Sequence, residues 1–389
     1  MADSPALPLP LPDSVALVLQ GGGALGSFQA GAYTALSRYD IALDWVAGIS
    51  IGAVNAALIA GNPKGQRRAA LKRFWDLVSG GMPAMMAPSD RDWREAAHLM
   101  AAGVVAAWGV PGFFRPRLFP ALFAVPGSAE ATSLYDTAPL VDTLNDLVDW
   151  DLLNHGPMRF SVGAVDLESG NFAYFDNREG DWAGRIDARH ILASGALPPG
   201  FPAVEIDGRH YWDGGLVSNT PLQHILDHSR GDTLIFQVDL FPAQGPLPRS
   251  LSDVTSREKD IRFSSRTRAV TDQYLAMRRK DAAISALLAK LPPELLQTPE
   301  AAALADTVDS GAVNVVQLIY RNRDWQTGAR DFEFSPASIQ DHWRQGEAAV
   351  GAAMQHGDIL ARNIADGATA AFDLGDPEPD DHHSSYRRR

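Results

Sequence analysis

Hydrophobic positions along the chain fall into two textures. Short uninterrupted apolar runs alternate with longer stretches in which small and apolar residues recur at helical spacing, the βα rhythm of a layered α/β fold. Val15 to Gln20 (VALVLQ) is the first such run, and its continuous apolarity suits a parallel strand covered on both faces. A glycine cluster, Gly21 to Gly26, leads from it into a helical stretch, Ser27 to Arg38. Asp44 to Ile49 is the second strand, running into Ser50, and Ala53 to Ala60 (AVNAALIA) is rich in small residues, predicting a helix packed closely on the sheet. Phe160 to Val165, Asn171 to Phe175, Leu234 to Leu240 and Val313 to Tyr320 are further strand candidates, and Pro336 to about Gln355 predicts a closing helix. No repeat of fixed period appears.

Two segments interrupt this rhythm. Residues 72–130 hold aromatic and Met residues such as Trp75, Trp93, Met100, Trp108, Phe113 and Phe114 among many Gly and Pro, more apolar bulk than a surface loop needs. They are expected to form a cap-like insertion (72–130) rather than an ordinary surface loop. The uncharged run Ala96 to Phe114 is broken by Gly103, Gly109, Pro111 and Gly112, which makes it a poor membrane span. Residues 246–309 read as largely helical. Because the apolar strand VNVVQLIY lies beyond them, residues 246–374 are expected to be a mostly helical region integrated with the core rather than a separate domain. That leaves 15–245 as the main α/β domain, flanked by a flexible arm (1–14) and a disordered tail (375–389).

Composition narrows the function. The chain has 389 residues, 46% hydrophobic and 21% charged, within the globular range. A net charge of −13 repels phosphate backbones and argues against nucleic acid as a partner. With no cysteine, disulfides, thiolate metal sites and cysteine nucleophiles are excluded together. The first residues lack the basic start and continuous apolar stretch of a signal peptide. A soluble cytoplasmic protein, at most peripheral to membranes or lipid surfaces, is the expectation.

Candidate chemistry centres on Gly48-Ile49-Ser50-Ile51-Gly52, which fits the G-x-S-x-G nucleophile elbow. In that motif a sharp strand-to-helix turn holds the serine hydroxyl clear of the sheet edge, and Gly48 and Gly52 avoid a Cβ that would crowd the neighbouring strand and helix. A strand before the motif and a small-residue helix after it supply the required context. The glycine cluster has two readings. Gly21, Gly23 and Gly26 satisfy the dinucleotide fingerprint G-x-G-x-x-G, but Ser50 stands where the next strand would need its ribose-binding acid. The favoured alternative makes Gly21, Gly22 and Gly23 an oxyanion loop whose bare N–H groups approach a developing negative oxygen. His224 and His228, four apart, could place two metal ligands on one helical face; without a third ligand they read as a solvated face, and neither a metal nor a cofactor is expected. His210 is the one histidine close to a site-like turn, Trp212-Asp213-Gly214-Gly215.

Three blocks, GGGALGSFQAGA, GISIGAVNAA and ASGALPPGFPAVEIDGRHYWDGGLVSNTP, in this order resemble those of patatin-like phospholipases, over about residues 15–240. The resemblance implies a three-layer α/β/α sandwich with a mostly parallel central sheet, and metal-free hydrolysis of lipid acyl esters. It implies Ser50 as nucleophile with Asp213 as its only partner in a Ser-Asp dyad, Gly214 and Gly215 supporting the latter, and Gly21 to Gly23 as the oxyanion hole, joined by the N–H of Ile51. Leu25 stands where many members carry Arg or Lys, which weakens the case for a phosphate-bearing substrate, and Thr220 where a second Asn is frequent. A lipid or other ester is thus the expected substrate, with transient lipid-surface contact and a homo-oligomer or protein partner compatible with the sequence. A hydrolase of short or polymeric hydroxyacid esters and a non-catalytic binding protein on the same scaffold are the alternatives. A strand alternates its side chains, so His210 and Asp213, three apart, point to opposite faces and only one can meet Ser50.

Overall fold

The computed structural model describes residues 9–81, 91–117, 123–229, 231–308, 311–321, 326 and 328–374. Most of the expected arm, the whole expected tail, and residues 82–90 and 118–122 of the cap segment lie outside the described residues.

In chain order the strands are β1 (Ser14–Leu19), β2 (Trp45–Gly48), β3 (Arg115–Pro116), β4 (Tyr135–Asp136), β5 (Arg159–Asp166), β6 (Phe172–Asp176), β7 (Val204–Ile206), β8 (Arg209–Asp213), β9 (Thr233–Asp239), β10 (Val313–Ile319) and β11 (Ala370–Phe372). β1 is central, parallel to β2 on one side and to β9 on the other. β10 and β11 continue the parallel order beyond β9, and β5 continues it beyond β2. At β5 the direction changes: β6 and β8 pair with it antiparallel, and β7 pairs antiparallel with β8. β3 and β4 form a separate small ribbon.

The alternation of side chains along β1 builds three layers. Val15, Leu17 and Leu19 enter the larger core, under α1 (Gly26–Leu36), α2 (Ile51–Ala60), α3 (Arg67–Ser79) and the helix Pro336–Gln355. Ala16 and Val18 enter a smaller core beneath the helices Leu222–His228 and Leu251–Leu288. The protein is therefore a three-layer α/β/α sandwich with a mostly parallel mixed sheet. Both faces of the central strand are buried, the reason its sequence is a continuous apolar run rather than an alternating one.

The strands expected from apolar runs all form, with ends displaced by one residue or so, and Pro336–Gln355 is a helix as expected. Residues 204–213 form a hairpin closed by Asp207-Gly208, both at positive φ, the backbone such a two-residue turn requires. The short edge strand β11 was not anticipated, since three residues carry too little pattern. His224 departs from the solvated-face reading: it is buried, its Nε2 lies 3.2 Å from the Asp176 Oδ2, and its ring stacks on Tyr174 at 4.0 Å. The helix on which it sits lies against the sheet, so position within the helix decides its burial.

α1 and Pro336–Gln355 cross with their backbones in contact. A Cβ on Gly31 would come 1.9 Å from the Trp343 carbonyl oxygen, and one on Gly346 would come 2.0 Å from that of Phe28. Gly346→Val is expected to force the helices apart and lower stability by about 3 kcal/mol or more. Gly351→Ala in the same helix meets nothing within 4 Å and should add about 0.5–1 kcal/mol. Urea unfolding of the two variants checks both signs.

Candidate functional site

Two strand ends meet head-on. β2 pairs with β5 over Arg159–Val162, and β8 pairs with β5 over Ala164–Asp166. Because β6 occupies the opposite edge of β5 across Ser161–Val165, β2 and β8 share one edge and approach each other from opposite directions. Gly163 lies between their pairing segments. Chain continuity then brings Ser50, two residues past the end of β2, to Asp213, the last residue of β8.

The turn at Ser50 is tight. Its φ of 55° and ψ of −121° lie in a region that a residue with a side chain rarely enters. The conformation is braced: Ser50 N–H donates to the Ser194 Oγ at 3.0 Å, and that hydroxyl donates to the Gly163 carbonyl at 2.7 Å. The flanking glycines let α2 sit directly on the sheet, for a Cβ on Gly48 would be 2.2 Å from the Gly52 carbonyl oxygen and one on Gly52 would be 2.3 Å from that of Leu19. Gly214 is similarly pressed on the Gly163 carbonyl.

Asp213 is buried and accepts a hydrogen bond from the Gly215 N–H at 2.7 Å, with the Ser50 hydroxyl beside its carboxyl. Burial pushes its carboxyl up to about 7, against the pull of the Gly215 amide and the Ser50 hydroxyl. His210 points elsewhere, its Nδ1 lying 2.9 Å from the Glu168 Oε1, and no histidine lines the cleft among the described residues.

The glycine loop lies against Ser50, with a Cβ on Gly21 coming 3.2 Å from that of Ser50. Gly21 donates its N–H to the Asn219 carbonyl at 3.1 Å, and the Asn219 side chain donates to the Gly21 carbonyl at 2.9 Å. That amide is therefore committed. Gly22 and Gly23 open a short helical turn, and Ile51 is the first residue of α2, positions whose N–H groups have no partner within their own helix. Gly23, at φ +55° with its Cα pressed on the Asp331 carbonyl, could be no other residue without displacing that segment.

Ser50, Asp213, Gly21 to Gly23 and Ile51 all line one cleft of about 870 Å³, part of it open to solvent. Its walls are apolar, with Phe113 and Phe114 from the segment expected to form the cap, Phe201, and Phe263, Phe332 and Phe334 from the C-terminal region. Phe113, Phe114 and Phe201 form a ring cluster with centroids 5.1–6.2 Å apart. Among the described residues no group of three His, Cys, Asp or Glu side chains could hold a metal ion.

A family model described as patatin-like phospholipase matches residues 17–226, more than half of the chain. The chain belongs to the patatin-like phospholipase family. That membership makes it a lipid hydrolase. A second model, described as patatin phospholipase, matches residues 261–366, so the likeness extends past the 15–240 span and into the C-terminal region. Comparison with curated proteins yields no match. Among solved structures the chain is similar to VipD from Legionella pneumophila, at 14% identity over 97% of this chain and 74% of that one, with a TM-score of 0.41. It is also similar to the type III effector protein ExoU, at 15% identity over 90% of this chain and 54% of that one, TM-score 0.33. ExoU in its heterodimeric complex with SpcU, from Pseudomonas aeruginosa, is 18% identical over 77% of this chain and 71% of that one, TM-score 0.31.

Several residues of the patatin-like site had no sequence signal of their own. Ser194 and Gly163 matter only through the Ser50 brace. Gln20 precedes the glycine loop, and its side-chain oxygen accepts from the N–H groups of Leu240 and Phe241 at 2.6 and 3.1 Å. Its amide donates to the Thr220 Oγ1 at 3.0 Å. Thr220 accepts in turn from Thr267 at 2.8 Å, so the residue that departs from the usual second Asn ties the loop to the long C-terminal helix. Leu25 is fully buried in the core.

The raised Asp213 carboxyl has a consequence for stability. The folded state keeps its proton to about pH 7, whereas an unfolded Asp releases it near 4. Its stabilising contribution is complete below about pH 4 and lost as pH rises through about 7. Asp213→Asn removes that loss, so its Tm relative to wild type should climb between pH 5 and pH 8. Calorimetry at both values checks this, and a difference that stays flat or falls contradicts it.

Proposed function

We propose that the protein cleaves carboxylic esters of lipids through Ser50 and Asp213, without a metal or cofactor. The observation that carries this reading is the Ser50 hydroxyl placed beside the buried carboxyl of Asp213 within one apolar cleft. The substrate carbonyl sits over Ser50 with its acyl chain along the phenylalanine wall. Ser50 Oγ attacks the carbonyl carbon while its proton passes to Asp213. The resulting oxyanion is met by the N–H groups of Gly22, Gly23 and Ile51, at the positive end of α2. Gly21 shapes the loop rather than donating, since its N–H is held by Asn219.

Collapse of the tetrahedral species expels the alcohol, which takes the proton from Asp213 and leaves an acyl-serine. Water then attacks this ester with Asp213 again as base, releasing the fatty acid and restoring Ser50. A carboxylate poised at about 7 suits both directions of transfer near neutral pH, as a base matched to the working pH. The apolar lining favours acyl chains over polar hydroxyacid polymers, and the buried Leu25 offers no cation to a phosphate.

Ser50→Ala and Asp213→Asn should each lower kcat on order of 10⁴-fold with the fold intact. His210→Ala should stay within about twofold of wild type, as expected for a substitution outside the cleft. Turnover of a fatty-acid ester by the three variants checks this; equal large losses in Asp213→Asn and His210→Ala would restore a histidine base. Because only ionised Asp213 accepts the proton, kcat/KM should fall as pH drops below about 7 and level off above it. A pH profile flat from 5 to 8 would contradict Asp213 as the base.

A further inference from the structure

The cap segment contains α4 (Arg91–Trp108), a helix that is apolar on its outer as well as its inner face over most of its length. From Ala96 to Trp108 it carries no Asp, Glu, Lys or Arg. The one titratable side chain in that stretch, His98, is turned inward and only 4% exposed, with Ala102 and Val105 below it on the same inner face. The outward face carries Leu99, Met100, Val104 and Trp108, the last 78% exposed, and Trp93 is exposed near the other end. A helix at a water interface ordinarily places its charges outside, so an apolar outward face on this scale marks a surface made for an apolar partner.

The position of this face indicates which partner. Val104 and Trp108 line a second cavity of about 620 Å³, whose walls include Phe114 and Phe334. Those two phenylalanines also line the Ser50 cleft. The two cavities therefore share apolar walls between the outer face of α4 and the Ser50 cleft, on the side from which an acyl chain leaving a lipid aggregate would come. A protein seated on α4 would cover that side. Tryptophans near both ends of the apolar stretch, Trp93 and Trp108, suit the boundary between headgroups and acyl chains. Among the described residues no helix is long and apolar enough to cross a membrane, so the contact is one of lying on the surface.

We propose that the outer face of α4 docks on a zwitterionic lipid surface and delivers acyl chains to Ser50. The inference rests on the lipid-hydrolase reading for its choice of partner. The net charge of −13 opposes anionic lipid, so the attraction comes from apolar burial rather than charge.

The test is co-sedimentation of the full chain with phosphatidylcholine vesicles, alongside turnover of p-nitrophenyl butyrate, a soluble ester that needs no surface. Leu99→Glu/Met100→Glu places two charges on the outer face without touching either cavity. Vesicle affinity should drop at least about tenfold while butyrate turnover is unchanged. Ser50→Ala should bind vesicles as wild type does. Docking through α4 is overturned if wild type fails to sediment, if the double variant binds equally, or if it loses butyrate turnover in proportion, which would make these residues structural. A double variant that changes only from oligomer to monomer, with vesicle binding kept, overturns it in favour of a second copy. Butyrate turnover surviving in Ser50→Ala while the double variant still loses vesicle binding would remove the catalytic reading and support the docking surface.

Discussion

One edge of one strand organises the site. β5 accepts β2 along its first half and β8 along its second, from opposite directions, and the interval between them is a single glycine, Gly163. Any side chain there would collide with Phe172 and Ile49, and a slip of register on either partner would separate Ser50 from Asp213. The rest follows from closing that gap. Ser50 accepts a strained backbone because its N–H and the Gly163 carbonyl are bridged by one hydroxyl, that of Ser194. Asp213 accepts burial with the Gly215 amide bonded to its carboxylate and the Ser50 hydroxyl beside it. Stability is given up at this point and recovered in the layers around it, as is usual where a site is held in a tense geometry.

The C-terminal region belongs to this arrangement. β10 extends the sheet beside β9, and the helix Pro336–Gln355 packs on α1, directly behind the glycine loop. The long helix Leu251–Leu288 reaches the same loop from the other face through Thr267, Thr220 and Gln20. Its Asp260 forms a buried pair with Arg330, and Lys259 holds Asp331 at 2.8 Å, the residue whose carbonyl abuts Gly23. The glycine loop is thus clamped by elements that lie more than two hundred residues further along the chain. Under the proposed mechanism, rigidity of that kind keeps amide donors aimed without reorganisation when charge develops.

The parts of this design legible in the sequence were those governed by local rules. Continuous apolar runs marked β1, β2 and β9 because both sheet faces are covered. Gly48 and Gly52 flagged the elbow because close helix-on-strand approach admits nothing larger, and Gly214 and Gly215 marked the turn at Asp213. The rest depends on contacts across the fold. Ser194 has no motif, yet it supports Ser50; Gln20 looks like the polar end of a strand, yet it fixes three segments. His224 read as solvated because helical spacing says nothing of which face meets the sheet. Gly21 read as a donor because its N–H partner, the Asn219 carbonyl, is nearly two hundred residues away.

The central claim is that Ser50 is activated by Asp213 alone, and the most direct measurement is the rate at which a fluorophosphonate labels the protein, followed by intact mass and peptide mapping across pH. A single adduct on Ser50, forming faster as pH rises through about 7 and abolished by Asp213→Asn but not by His210→Ala, is the result this account requires. Labelling at another residue, or labelling of Ser50 that persists in Asp213→Asn with an unchanged pH dependence, would contradict it.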